Sequence, residues 1–246
     1  MSEHKGLFHP PRDMRLFVLL GAFGSGKTEI AINLALALAA QGRQAALADL
    51  DLVNPYFRSQ EKDSLLEARG VRVIAPQGDL RHADLPSVPA RLWQLIYNKE
   101  LHGVLDIGGD MAGARVLGAY QEDLKKQDSA TWYVFNRSRY DNQDSEKALF
   151  NLRQIEAHSG LRVSGILHNT HLIGDTTAQT VREGARDAEG FARQAGLSLI
   201  CHCVREDLVP QLAGLTPLFP LKMHMLRPWE DESFTRQSNT DKRSRQ

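Results

Sequence analysis

Residues Gly21, Ala22, Phe23, Gly24, Ser25, Gly26, Lys27 and Thr28 follow the pattern G-x-x-x-x-G-K-[ST]. The chemistry that such a stretch performs is the holding of phosphates. Glycines let the backbone curl until successive N–H groups converge on one point. A helix starting at the end of the curl adds its partial positive charge. In that setting Lys27 bridges β- and γ-phosphate oxygens and the Thr28 hydroxyl is a ligand for Mg²⁺. Gly21 through Thr28, together with Glu29 on the first helical turn, are therefore the candidate nucleotide-binding residues.

A phosphate cradle of this kind needs carboxylates to organise Mg²⁺ and to position the attacking water. Two acidic stretches supply them. Ala45–Asp51 reads as a strand with Asp49 inside it and Asp51 at its exit. Asp51 is the candidate for holding the water or the Mg²⁺ shell, with Asp49 behind it. Gly103–Asp110 reads as a second buried strand that ends in Asp106-Ile107-Gly108-Gly109-Asp110. Asp106 suits a Mg²⁺ contact through water, and Gly108 or Gly109 can offer a backbone N–H to the γ-phosphate. The catalytic candidates are thus Lys27 and Asp51, and the metal candidates are Thr28, Asp51 and Asp106. Asp110 has no role assigned.

These residues require a scaffold that brings strand ends together. Short apolar runs suggest strands at Leu16–Leu20, Gln44–Leu50, Val71–Ala75, Val104–Ile107, Ala130–Asn136, Val163–His168, Ser198–Val204 and Leu218–Leu221. Several lack alternation, as strands buried on both faces do. Helices are expected at Thr28–Gln41, Val88–Glu100, Ala114–Gln127, Ser145–Ser159 and Thr176–Ala195. The first is apolar all round and therefore buried. Gly42, Gly70, Gly160 and Gly196 sit at C-cap positions, and Asp144 and Asp175 at N-cap positions. Alternating strands and helices predict an α/β fold, a mostly parallel central sheet with helices on both faces. Ligands then bind at the carboxyl ends of the strands.

At 246 residues, one such domain suffices. It is expected over residues 15–225, after a flexible arm at 1–14 and before a polar tail, disordered by composition, at 226–246. Lys+Arg and Asp+Glu both number 30, which gives no reason to expect nucleic-acid binding. Arg137, Arg139 and Lys125–Lys126 do not form a basic run. No apolar stretch is long enough to span a bilayer, the N-terminus lacks a signal-peptide core, and no membrane-targeting helix is evident. Two cysteines exclude a disulfide scaffold and suggest a reducing compartment, the cytoplasm. They flank His202 in Cys201-His202-Cys203, where strand alternation puts both thiols on one face and makes small apolar packing the better reading than a metal site. The loop Pro76–Pro86, with Asp79 and Arg81, leaves the third strand at the active edge and reads as a surface connection.

Over about Arg15 to Met223 the chain resembles the MinD/ParA/CobQ-like P-loop ATPases, the branch that includes the nitrogenase iron protein. Four places carry the resemblance: the P-loop, Ala48–Pro55 with its D-x-D, Leu105–Gly109, and Leu167-His168-Asn169-Thr170 followed by Arg205–Val209. It implies a P-loop three-layer sandwich that binds ATP and Mg²⁺. It also implies that Asn169 contacts the adenine and that the Arg205–Val209 segment, with Arg205 and Asp207, closes over the base. His168 and His171 flank Asn169 as strand-end residues. The family's behaviour implies a slow ATPase acting as a nucleotide-controlled switch for a protein partner, often as a homodimer. The CobQ-like branch implies the alternative of an ATP-dependent small-molecule ligase or kinase, with Asp79, Arg81 and Arg115 beside the γ-phosphate. Where many members carry a second P-loop lysine that reaches the partner's ATP, this chain has Ala22. Arg58 and Arg115, near the two switch segments, are candidate substitutes. An N-K-x-D base-reading motif is absent, since Thr170 and His171 follow Asn169, which favours ATP over GTP.

Overall fold

The structure is a computed structural model, and it describes residues 6–50, 60–75, 87–109 and 111–225. The order of elements is β1 (Leu16–Leu20), α1 (Lys27–Ala40), β2 (Gln44–Leu50), α2 (Gln60–Glu67), β3 (Val71–Ile74), α3 (Ser87–Tyr97) and β4 (Leu101–Ile107). There follow α4 (Met111–Gly118), α5 (Gln121–Leu124), β5 (Ser129–Phe135), α6 (Ser145–Ser159), β6 (Gly165–His168), α7 (Ala178–Ala195), β7 (Leu199–Arg205) and β8 (Leu218–Leu221).

The strands form one eight-stranded sheet in the order β3-β2-β4-β1-β5-β6-β7-β8. Every pairing between named strands is parallel. The run of unbroken burial along β1 explains its sequence, because both faces are covered. One face packs against α1: Phe17, Leu19, Leu47 and Val104 meet Ile30, Leu34 and Leu38. The other packs against α3, α4, α6 and α7, where Leu16, Val18, Leu105 and Tyr133 meet Leu95, Leu117, Leu152 and Phe191. This is the expected three-layer sandwich. α1 lies in the first layer with most of its residues buried, which accounts for its lack of a polar face.

Several boundaries differ from the sequence expectation for identifiable reasons. β4 begins at Leu101 rather than Val104, because Gly103 belongs to the strand. A Cβ there would lie 2.7 Å from a Leu95 methyl, so glycine is what lets α3 sit against the sheet. The stretch Ala114–Gln127 is two helices, α4 and α5, and Tyr120 between them is buried against the Trp93 ring. Asp144 caps α6 by accepting from Glu146 N–H, as expected, but α7 is capped by Thr177 rather than Asp175. Thr177 Oγ1 accepts from Thr180 N–H at 3.1 Å, and Asp175 closes a 3₁₀ turn instead. The four C-cap glycines all have positive φ.

Residues 6–14 are not a free arm. Phe8 packs edge-on against Trp132 and Phe219, Leu7 bridges to Leu218, and Arg43 donates to the Pro11 and Met14 carbonyls. Arg15, at the foot of β1, donates to the carbonyls of Leu95, Ile96, Asn98 and Leu101 and to Gln127 Oε1, tying α3 to the sheet. The expected tail at 226–246 lies outside the described residues. No helix among them is long and apolar enough to cross a membrane.

Candidate functional site

The chain runs to one side of β1 through β2 and β3, returns to β4, and then continues on the other side from β5 to β8. β1 is therefore where the winding reverses, and its carboxyl end opens into the crevice between β4 and β5. The Gly21–Thr28 turn occupies that place, joining the end of β1 to the start of α1. Gly21, Gly24 and Gly26 all have positive φ, and Gly26 at +91° is the N-cap of α1. No side chain caps this helix end. A helix N-terminus that follows a glycine turn is the setting an anion site requires.

Three neighbouring strand exits hold the turn in shape. From β4, Gly109 lies so close that a Cβ would fall 2.6 Å from Phe23 N and Cα. From β6, Asn169 Nδ2 donates to the Ser25 carbonyl at 2.8 Å and occupies the space beside Gly26. From β5, the Arg139 guanidinium covers Gly24, 3.1 Å from where a Cβ would stand. Thr170 reinforces the β6 side: its hydroxyl accepts from Arg137 N–H, and α7 approaches it closely because residue 184 is glycine.

Within the turn, Lys27 Nζ donates to the carbonyls of Gly21 and Ala22, each at 3.1 Å. The ammonium is thus bent back over the curl, where phosphate oxygens would compete for it. The Ser25 hydroxyl is fully buried and has no hydrogen-bond partner, an orphaned donor inside the loop. The curled backbone, the uncapped helix end, Lys27 and Ser25 Oγ together fit a bound phosphate chain.

Asp49 and Asp106 stand directly opposite each other on β2 and β4, and Asp106 is level with Leu19 of β1. Alternation sets all three on the α1 face, since Leu47 and Val104 two residues earlier pack there. Both carboxylates are almost fully buried at the carboxyl edge. Thr28 lies on the first turn of α1, on this same side of the sheet. A hydroxyl and two carboxylates are the hard oxygen donors that Mg²⁺ prefers, and this ion takes few protein ligands beside phosphate and water. The donor types are those that Mg²⁺ takes.

Glu29 differs from its expected role in one respect. Its carboxylate accepts from the N–H groups of His224 and Met225, so the side chain anchors the segment after β8. Arg205 and Asp207 make a two-bond ion pair, at 2.9 and 2.6 Å, and Arg205 also donates to the Ile173 carbonyl. The pair links the exits of β6 and β7, with Asp207 held below and Arg205 above their ordinary pKa values by that contact. Asp51, Arg58, Asp79, Arg81 and Asp110 lie outside the described residues, and Arg115 is exposed on α4.

Beneath Asn169, His168 and His202 meet through their Nδ1 atoms at 3.0 Å. Burial and the neighbouring ring push His168 down to about 3, and burial lowers His202 as well, so both are neutral at pH 7. Cys201 and Cys203 point to the opposite, α1-side cluster, with their sulfurs 3.9 Å apart. His171 lies beside Gly26, and burial together with the positive charge of Arg139 lowers it to about 4. Sequence reasoning treated Arg139 only as part of a weak basic cluster. Its place four residues after β5 becomes informative once β5 is known to be the neighbour of β1.

Comparison with known proteins matches residues 17–180, more than half of the chain, to CbiA, the CobQ/CobB/MinD/ParA nucleotide binding domain. No curated protein matches the chain in sequence. Among solved structures it is similar to cell division protein ftsY from Thermotoga maritima, at 20% identity over 83% of this chain and 66% of that one, with a TM-score of 0.50. It is similar to signal recognition particle 54 kDa protein from Aeropyrum pernix, at 21% identity over 78% and 42%, TM-score 0.52. It is also similar to FlhF complexed with GTP/Mg²⁺, at 14% identity over 79% and 67%, TM-score 0.51. The chain spans less than two thirds of the length of the first of these, and the likeness to all three is one of fold. The P-loop at the winding reversal and the family match over residues 17–180 agree, and the chain belongs to the CobQ/CobB/MinD/ParA nucleotide-binding family.

Proposed function

We propose that this protein binds ATP with Mg²⁺ at the Gly21–Thr28 turn, hydrolyses it slowly, and uses the nucleotide state to control contact with a protein partner. The observation that carries the reading is the Lys27 ammonium bent over the curl beside the orphaned Ser25 hydroxyl. In the bound state Lys27 exchanges its two carbonyl partners for β- and γ-phosphate oxygens. Thr28 and Asp106 hold Mg²⁺, Asp51 orients the attacking water, and Gly109 reports the γ-phosphate through its backbone. Asn169 and the Arg205–Asp207 pair border the base.

Support for a partner-binding face comes from the rim of this edge. Phe23 at the crown of the turn, Tyr140 after β5, and Leu172 and Ile173 after β6 are all exposed. Four large apolar side chains from three separate loops share one end of the sheet, the kind of surface that marks an interaction site. Structural relatives include proteins crystallised with GTP or GDP, so the choice of base is part of the test.

The test is calorimetric titration with ATP, GTP and ADP, with and without Mg²⁺, alongside phosphate release from the same sample. Mg²⁺-dependent ATP binding with slow release, lost in Lys27→Ala, is the expected result. Asp51→Ala is expected to bind ATP but not to release phosphate. Tighter binding of GTP than of ATP reverses the base assignment. Conversion of ATP to ADP that requires an added acceptor identifies a kinase, if the phosphoryl group stays on the acceptor, or a ligase, if phosphate is released. No binding of either triphosphate refutes the proposal.

A further inference from the structure

Arg137 and Arg139 are two residues apart but differ in their surroundings. Arg137 pairs with Asp187 at 3.0 Å and Glu183 at 3.7 Å on α7. Arg139 makes no ion pair with any described residue, and its Nε is buried without a hydrogen-bond partner. Its guanidinium rests on Gly24, in the middle of the P-loop, with the carbon at 3.1 Å and two nitrogens at 3.3 Å from the place of a Cβ. Any larger side chain at position 24 would displace it. The loop that carries it is fixed: Arg139 N–H donates to the Asn136 carbonyl, and the Arg139 carbonyl accepts from Asn142 N–H. Asn142 is in turn held by the buried Tyr133 hydroxyl. A positioned guanidinium with unused donors, laid against a phosphate cradle, is a charge awaiting an anion.

From this geometry we propose that Arg139 is a phosphate-contacting residue that acts from within the same chain, supplying to the bound triphosphate the positive charge that Ala22 does not. The inference rests on the proposed nucleotide site. In hydrolysis a water oxygen bonds to the γ-phosphorus, and the bond to the bridging oxygen breaks with its electrons passing to ADP. Of the water's two protons, one stays on the phosphate and one goes to solvent. Negative charge grows on the bridging and γ oxygens as this proceeds, and a guanidinium placed there stabilises the transition state more than the ground state. His171, which lies beside Gly26, is kept neutral by burial and by the Arg139 charge, so it does not compete as a cation.

The experiment compares affinities for ADP, ATP and ADP–aluminium fluoride, each with Mg²⁺, in wild type, Arg139→Ala, Arg139→Lys and Arg139→Gln. Thermal unfolding without nucleotide is recorded for each protein. Arg139→Ala is expected to lose at least ~100-fold in affinity for the transition-state mimic while ADP affinity changes by less than ~3-fold. Arg139→Lys recovers part of the loss, and all variants melt within a few degrees of wild type. If Arg139→Ala unfolds, Arg139→Gln, which keeps the stem and the backbone turn, gives the same comparison. Wild-type affinity for the mimic in the alanine and glutamine variants overturns the proposal, as does an equal loss for ADP and the mimic, which would make Arg139 a general anchor. Wild-type protein that binds no nucleotide overturns the proposed function and this inference with it, whereas normal wild-type binding with unchanged variants overturns this inference alone.

Discussion

Gly109→Ala puts the fit between the β4 exit and the P-loop to a direct test. The added Cβ would meet Phe23 N and Cα at 2.6 Å and Ala22 C at 2.9 Å. Ordinary carbon contacts lie at about 3.5–4.0 Å. The Ala22–Phe23 peptide or the Gly108–Gly109 turn must therefore move by about 1 Å. All three atoms are backbone, so no side-chain rotation relieves the overlap. Overpacking of this kind costs about 1–3 kcal/mol. In a chain of this length that lowers the melting temperature by roughly 2–4 °C per kcal/mol. The larger effect falls on the ligand. Hydrogen bonds from the loop to phosphate tolerate only a few tenths of an ångström, and a misplacement of about 1 Å costs on the order of 100-fold. Calorimetry should then show ATP and ADP affinity both reduced by ~10–100-fold, with the melting temperature down by a few degrees. Unchanged affinity in a normally folded variant would refute the claim that Gly109 sets the position of the loop.

Asn169→Ala removes the donor to the buried Ser25 carbonyl, so thermal unfolding should show a loss of about 1–3 kcal/mol and titration a weaker nucleotide complex. His168 is neutral in the fold, with a pKa pushed down to about 3, whereas in the unfolded chain it takes up a proton near pH 6.5. The unfolded state thus binds more protons below pH 6.5, and stability falls as the pH drops. Between pH 6.5 and 5 the loss from this residue is on the order of 1–2 kcal/mol, and a His168→Gln variant should show a flatter dependence of melting temperature on pH. Gly190 lies in α7 with no heavy atom within 4 Å of the place of a Cβ. Gly190→Ala should raise stability by about 0.5–1 kcal/mol, and a lower melting temperature would contradict the open space seen there.

The elements most legible in the sequence were those whose apolar runs end abruptly. β1, β2 and β8 have the bounds that composition suggests, and α6 begins and ends where Asp144 and Gly160 indicate. The P-loop was legible because its glycines and lysine act through local backbone geometry. Errors arose where a distant residue decided the local structure, as with Leu95 over Gly103 or the Trp93–Tyr120 contact between α4 and α5. The same reason hid Arg139. Its neighbour Gly24 is more than a hundred residues away, and only the strand order β4-β1-β5 brings the two together. Thr177 was hidden by a closer competitor, since Asp175 has the right residue type but is used up in a 3₁₀ turn.

The position of β1 between β4 and β5 also sets a schedule for the growing chain. Leu16 meets Gly103 on one side and Ser129 on the other, so the first partner of β1 arrives about 90 residues later. At roughly 5–20 residues per second, ribosomes need about 4–17 s to make that length. During this interval α1, apolar on nearly every side, has only the β2–β3 pair to pack against. The Gly21–Thr28 turn is made early and housed late, because the β4 and β5 exits that flank it are made long afterwards, and until then α1 is only partly covered.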